Sequence, residues 1–207
     1  MVKDGIYYGA GFLLAALAIA FVLNAWWSLP LFVLSAFCFY FFRDPERTAP
    51  SGPVAVSPAD GVVSLIRNYE DGGFRVSVFL NIFNVHVNRS PIAGRIESIE
   101  YQQGSFEMAH RETASENNEQ NTFVIRPTDG GGSLEVKQIA GLIARRIVCY
   151  KKVGDSVAKG ERIGLIKFGS RMDVRFGPEW RLEVAKGDPV AAGETVLAKR
   201  REANHAS

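Results

Sequence analysis

The dipeptide Gly169-Ser170, set in Gly160-Glu-Arg-Ile-Gly-Leu-Ile-Lys-Phe-Gly-Ser-Arg-Met-Asp173, has the residue types with which a backbone can cut itself. A serine hydroxyl that attacks the preceding carbonyl gives an ester. Elimination from that ester leaves dehydroalanine, which hydrolyses with loss of ammonia to a pyruvoyl group at a new chain end. Glycine before the serine keeps the carbonyl unhindered and lets the peptide strain, and a nearby base must activate the hydroxyl. Most Gly-Ser pairs are plain turns, so the surrounding residues decide. Of the three histidines, His205 lies in a polar terminus and His110 in the long polar segment Gly104 to Asn121. His86 instead stands between Val85 and Val87 at the end of a strand-like run, which makes it the candidate base. Asp60, in Ser57-Pro-Ala-Asp-Gly61, is the candidate acid to orient it. Serine, histidine and aspartate far apart in sequence, joined by a β scaffold, are a known means of activating a hydroxyl.

The elements that must position these residues fall into three zones. No charge interrupts Ile6 to Phe42, and only Asn24-Ala-Trp-Trp-Ser-Leu-Pro30 breaks its apolar character. As a helix, Ile6 to Leu23 reaches about 27 Å, close to the hydrocarbon thickness of a bilayer. A second helix starting near Trp26, with Pro30 in its first turn, makes a transmembrane hairpin the preferred reading of the membrane anchor over residues 1–42, of one or two helices, with a shallow re-entrant hairpin as the alternative. Lys3 at one end and Arg43 and Arg47 at the other then share the cytoplasmic side of the cell membrane. A signal peptide fits badly, because a second apolar block follows at once without a small-residue cleavage site. Residues 43–53 form a Pro-rich linker, and residues 54–207 form a domain of short β-branched runs, mainly β. After the dipeptide, the reading places a strand only at Val174 to Phe176.

Two motifs recur at the same offset, 33 residues. Ser57-Pro-Ala-Asp-Gly-Val-Val63 is echoed by Ser90-Pro-Ile-Ala-Gly-Arg-Ile96, and Gly154-Asp-Ser-Val-Ala-Lys-Gly-Glu-Arg-Ile163 by Gly187-Asp-Pro-Val-Ala-Ala-Gly-Glu-Thr-Val196. These look like turns of barrel-sandwich-hybrid-like hairpins in an antiparallel β sandwich with pseudo-twofold character. Asp60 falls where its echo has Ala93, so the turn does not require a carboxylate.

A formal charge of +2 gives no mandate for nucleic acid. Cys38 and Cys149 lie in unlike contexts and read as neither a disulfide nor a metal site. On the residues alone, two other readings stay open. A non-enzymatic membrane-anchored adaptor with a carrier-like sandwich explains the hairpin and the repeats, but not Asp60, His86 and Gly169-Ser170 together. A serine hydrolase lacks the Gly-x-Ser-x-Gly elbow.

Phe168-Gly-Ser170 preceded by Gly164-Leu-Ile-Lys167, Pro58-Ala-Asp-Gly61, Asn84-Val-His-Val-Asn-Arg-Ser-Pro91 and Asn118-Glu-Gln-Asn121 together resemble the short, membrane-anchored branch of the phosphatidylserine decarboxylase proenzymes. The resemblance spans most of residues 40 to 199. It implies autocleavage into a β chain, 1–169, and an α chain, 170–207, headed by a pyruvoyl cofactor made from Ser170. It also implies a Schiff base between that ketone and the substrate amine, with His86 as base and Asp60 orienting it. No metal is implied. Longer members carry a second histidine where this chain has Phe83, and Arg171 replaces a hydroxyl residue of the family's Leu-Gly-Ser-Thr variant. The implied partners are the phospholipid substrate, the membrane and the two cleaved chains; a homo-oligomer is left open. Arg171 and Arg175 are candidates for the lipid phosphate, and Arg43, Arg47, Arg145, Arg146, Lys151, Lys152, Lys199, Arg200 and Arg201 for a basic face toward headgroups.

Overall fold

A computed structural model describes residues 1–105, 117–141, 146–167 and 169–201. The chain divides into two compact units, Met1–Glu46 and Arg47–Ser207. The first contains α1 (Lys3–Val22) and α2 (Ala25–Phe41). The side chain of Asn24 caps α2 by accepting from the Trp26 amide at 3.1 Å. Pro30 is the sixth residue of α2, past its first turn, because the helix starts at Ala25, one residue before Trp26. Small residues let the two helices approach: Gly5 faces Phe42, Gly9 faces Phe39, and Ser35 Oγ donates to the Gly9 carbonyl at 2.7 Å. Among the described residues α1 alone has both the length and the hydropathy to cross a membrane; α2 is apolar but shorter.

Among the described residues the second unit has fourteen strands: β1 (Val54–Val56), β2 (Gly61–Asn68), β3 (Phe74–Leu80), β4 (Val87–Arg89), β5 (Gly94–Gln102), β6 (Gln120–Pro127), β7 (Leu134–Ile139), β8 (Arg146–Cys149), β9 (Ser156–Val157), β10 (Arg162–Lys167), β11 (Ser170–Phe176), β12 (Trp180–Leu182), β13 (Pro189–Val190) and β14 (Val196–Arg200). They make one eight-stranded sheet, β13-β2-β3-β11-β7-β6-β5-β9, and two three-stranded sheets, β1-β14-β12 and β4-β10-β8, with every named pairing antiparallel. Val76, Val78, Val136 and Val174 of the large sheet share one core with Ala55, Leu197, Ala198, Ile163 and Ile166 of the small ones, so the sheets pack as the expected sandwich.

The 33-residue echo holds atom for atom. Val56 N donates to Pro91 O at 2.9 Å while Arg89 N donates to Pro58 O at 2.8 Å, an exchange that relates the two halves as a pseudo-twofold axis does. Gly193 N to Ser57 O and Gly160 N to Ser90 O are both 2.8 Å. Asp155 and Asp188 each accept from the amide three residues before, at 2.8 Å, clasping the same β-turn twice. The turn glycines Gly154 and Gly187 have φ of 93° and 99°, a conformation open mainly to glycine.

Candidate active site

Two chain connections meet at one end of this body. The first, residues 168–169, joins β10 to β11, so Ser170 opens the strand that lies between β3 and β7 in the large sheet. The second, residues 81–86, joins β3 to β4. Ser170 pairs with Leu80, the last residue of β3, and Ile166 N donates to the His86 carbonyl at 3.3 Å. The segment holding Gly169-Ser170 and the segment holding His86 are thereby fixed to each other at both of their ends.

Ser170 is fully buried, and its Oγ has no hydrogen-bond partner among the described residues. Buried hydroxyls are normally satisfied, so a hydroxyl left uncommitted marks a functional position. A Cβ built on Gly169 meets nothing within 4 Å, so packing does not demand glycine there. What the glycine contributes is an unshielded carbonyl beside the hydroxyl. Phe168 lies outside the described residues.

His86 is fully buried, with Nδ1 2.9 Å from the Asn84 carbonyl oxygen. A carbonyl only accepts, so Nδ1 carries the proton of the neutral ring, and Nε2 is the basic nitrogen. The orienting contact in this structure is therefore Asn84, not the expected aspartate. Asp60 accepts from Arg47 Nη2 at 3.1 Å and from the Ala192 amide at 2.8 Å, and its hydrogen bonds do not include His86. Asp60 nevertheless belongs to the same end. Val62 pairs with Phe79 and Phe79 with Arg171, so the Asp60-Gly61 corner sits two strands from Ser170, about 10 Å across the sheet.

The pseudo-symmetry gives a second measure of that neighbourhood. Pro53 and Ala93, the repeat counterparts of His86 and Asp60, line a single cavity of about 120 Å³ together with Ile92, Thr128, Lys159 and Trp180. Positions related to His86 and Asp60 thus border one common space at the other end of the body.

A chain of buried amides was not singled out from the sequence. Asn121 Nδ2 donates to Gln138 Oε1 at 3.0 Å, and Gln138 Nε2 donates to Asn88 Oδ1 at 2.8 Å, tying β6 and β7 to β4 two residues past His86. All three are essentially inaccessible. A Cβ at Gly164 would come within 2.7 Å of Gln138 Nε2, so this glycine admits the amide. The sequence did hold a signal: in Leu134-Glu-Val-Lys-Gln-Ile139 the alternation points residue 138 inward, where an apolar residue is expected.

The two expected phosphate ligands are committed elsewhere. Arg171 is fully buried and grips Asp173, Nη2 to Oδ2 at 3.0 Å and Nε to Oδ1 at 2.9 Å, with Arg75 3.6 Å from the same carboxylate. Arg175 donates to Asp71 at 2.6 Å and lies over the Tyr69 ring at 3.9 Å. The hydrogen bond from Arg175 is the leading cause that holds the Asp71 carboxyl below its ordinary range. Several members of the expected basic face are paired internally too: Arg47 with Asp60 and Glu194, Lys151 with Glu161, Lys199 with Glu183, and Arg200 with Asp129. His110, His205 and Arg145 lie outside the described residues.

Residues 34–198 match the family model described as phosphatidylserine decarboxylase. A phosphatidylserine decarboxylase proenzyme of Solibacter usitatus is 52% identical over 200 residues, covering 97% of each chain. One of Solidesulfovibrio magneticus is 46% identical over 210 residues, covering 98% of this chain and 97% of the other. One of Cupriavidus pinatubonensis is 42% identical over 206 residues, covering 97% and 95%.

Proposed function

This chain belongs to the phosphatidylserine decarboxylase family, and from that membership we propose that it is a proenzyme that cuts itself between Gly169 and Ser170 and then converts phosphatidylserine to phosphatidylethanolamine. The observation that carries the reading is the uncommitted, buried Oγ of Ser170 at the end where His86 presents Nε2 as its basic nitrogen.

In the first step His86 Nε2 takes the Ser170 hydroxyl proton as Oγ bonds to the Gly169 carbonyl carbon. As the Gly169-Ser170 C–N bond breaks, His86 Nε2 delivers that proton to the Ser170 nitrogen, which becomes a free amine, and the imidazole is neutral again. Loss of the Ser170 α-proton then expels the Gly169 carboxylate, and hydrolysis of the resulting dehydroalanine releases ammonia. The products are the chains 1–169 and 170–207. The smaller one stays in place because β11 lies between β3 and β7, while β12, β13 and β14 pair with one another or with β1 and β2.

The pyruvoyl group supplies an electron sink for loss of carbon dioxide from an amine-bearing substrate. Its position fits: the residue that becomes it is buried on a central strand, two positions before Met172, whose register partner is Gln138 of the amide chain. His86, its cleavage task complete, returns a proton to the substrate α-carbon. Asp60, in ion pair with Arg47, favours the imidazolium through its field from the next corner rather than by contact. The apolar helix pair anchors the domain at the cell membrane, with Lys3 and Arg43 placing it on the cytoplasmic side.

The test is a denaturing gel with intact masses, run beside carbon dioxide release from phosphatidylserine vesicles. The reading expects two chains, the smaller one blocked to N-terminal sequencing and reactive toward carbonyl reagents. Active protein that is one unbroken chain with its Ser170 alcohol intact overturns it, and an intact, inactive chain favours the adaptor. A His86→Ala protein cleaved by other means tests the second proton transfer, since normal turnover removes it.

A further inference from the structure

The connection between β3 and β4 carries two exposed apolar side chains beside the candidate active site. Ile82 is 36% and Phe83 61% accessible, while Leu80 before them and His86 after them are buried. The turn that presents them is rigidly made. Asn81 Oδ1 accepts from the Phe83 amide at 2.8 Å, Asn84 Oδ1 accepts from the Asn81 amide at 2.9 Å, and Asn84 N donates to Asn81 O at 3.1 Å. Three hydrogen bonds thus hold a short turn whose tip exposes a phenyl ring to solvent. For a domain facing only water this arrangement has a cost, since an exposed ring forgoes the free energy of its burial.

The strands beside this turn end in cations. One step beyond the Ile166–His86 hydrogen bond, Lys167 falls beside Val85, and Lys167 is directly opposite Arg146 across the β8–β10 pair. Arg146 is exposed and has no ion pair among the described residues. Cationic side chains at these strand ends complement the phosphates of an anionic surface laid across them. An apolar tip flanked by cations is the composition that settles into a bilayer interface, rings among the upper acyl carbons and cations at the phosphates. The same chain carries α1, long and apolar enough to span a bilayer.

We propose that Ile82 and Phe83, flanked by Arg146 and Lys167, form a second membrane contact that inserts into an anionic bilayer and seats the mouth of the active site on its own substrate layer. The contact rests on the functional reading above for its purpose, yet it is measurable without activity.

The test uses the full chain in phosphatidylglycerol-containing vesicles with Cys149→Ser, so that an environment-sensitive fluorophore can be placed on Phe83→Cys or, at the far end of the domain, on Asp129→Cys. Acyl-chain spin labels are expected to quench the label at 83 at least threefold more than at 129. Adding Arg146→Glu and Lys167→Glu is expected to reduce the difference, as is exchanging the anionic lipid for a zwitterionic one. Equal quenching at both positions overturns the proposal, whether or not the protein is an active decarboxylase. A second arm compares Ile82→Ser/Phe83→Ser on vesicles and on a short-chain phosphatidylserine dispersed as monomers. About tenfold loss on vesicles with the monomeric substrate unaffected supports the contact. No loss on either substrate, or equal loss on both, overturns it.

Discussion

At one end of the β body His86 and Asp60 accompany Gly169-Ser170, the pair that follows β10; at the repeat-related end Pro53 and Ala93 border a cavity beside β14, the strand that corresponds to β10. The backbone devices of the two ends are the same. The paired strands β1/β14 and β4/β10 correspond, as do the β-turns clasped by Asp155 and Asp188 and the hydrogen bonds of Ser57 and Ser90 to Ala59 and Ile92, both at 2.7 Å. A fold that is satisfied with proline and alanine at one end does not need histidine and aspartate at the other. The proposed chemistry therefore rests on a few side-chain departures from an otherwise repeated scaffold.

The most severe way to break the comparison is to remove the departures themselves. Ser170→Ala is expected to abolish cleavage, leaving one chain of full mass. His86→Ala is expected to slow it by about 10²–10⁴-fold, the usual contribution of a general base. Lys159→Met at the opposite end should leave the time course of cleavage unchanged on the same gel. Equal loss from Lys159→Met would mean that both ends serve the reaction. Asp60→Asn comes next, at roughly tenfold, since a carboxylate acting through its field from the next corner contributes less than one in contact. A loss as large as that from His86→Ala would instead show that Asp60 moves onto the imidazole during reaction.

The same contrast explains what could be read from the sequence. Repeated features were legible, because Gly-Asp turns and alternating strands write their geometry locally: the sandwich, its pseudo-twofold character and the helix pair all follow from short motifs. Ser170, Gly169 and His86 were legible as residue types. Their partners were not, since a contact between Asp60 and Arg47, or between Gln138 and Asn88, depends on tertiary register. The strand at Ser170–Phe176 was read too short for a related reason. Arg171 and Asp173 look like solvent-facing charges in sequence, whereas in the fold they neutralise each other inside it. The same burial removes Arg171 from the expected set of headgroup ligands.

A milder perturbation sharpens the symmetry instead of breaking it. Alanine at Gly154 or Gly187 forces a side chain into the left-handed region, at about 1–2 kcal/mol each. Because the two turns are equivalent, thermal unfolding of Gly154→Ala and Gly187→Ala should shift by the same amount, with cleavage preserved in both. Gly169→Ala is the counterexample. Its Cβ has open space, so the melting temperature is expected to stay unchanged while cleavage slows. Destabilisation by Gly169→Ala would mean that the glycine serves packing after all.

The smallest expected effect concerns two carboxylates at repeat-related positions, Glu194 and Glu161. The hydrogen bond from Arg47 is the leading cause that holds the Glu194 carboxyl below its ordinary range. For Glu161 burial pushes upward, but the hydrogen bonds from Lys151 and from the Ala158 amide prevail, and the net direction is again down. A carboxyl depressed in the folded state adds stability that is complete above its unfolded value of about 4.3 and is lost as pH falls through the folded one. Melting temperature should therefore decline on acidification below roughly that value, and Glu194→Gln or Glu161→Gln should each flatten the decline by a similar fraction. Function separates the pair. Glu194→Gln leaves Arg47 wholly to Asp60, which damps the carboxylate's field and slows cleavage slightly, whereas Glu161→Gln acts at the end without a nucleophile and leaves cleavage alone. Equal slowing by both variants would erase the functional asymmetry between the ends; slowing by Glu194→Gln alone would trace it to the ion pair that Arg47 shares with Asp60.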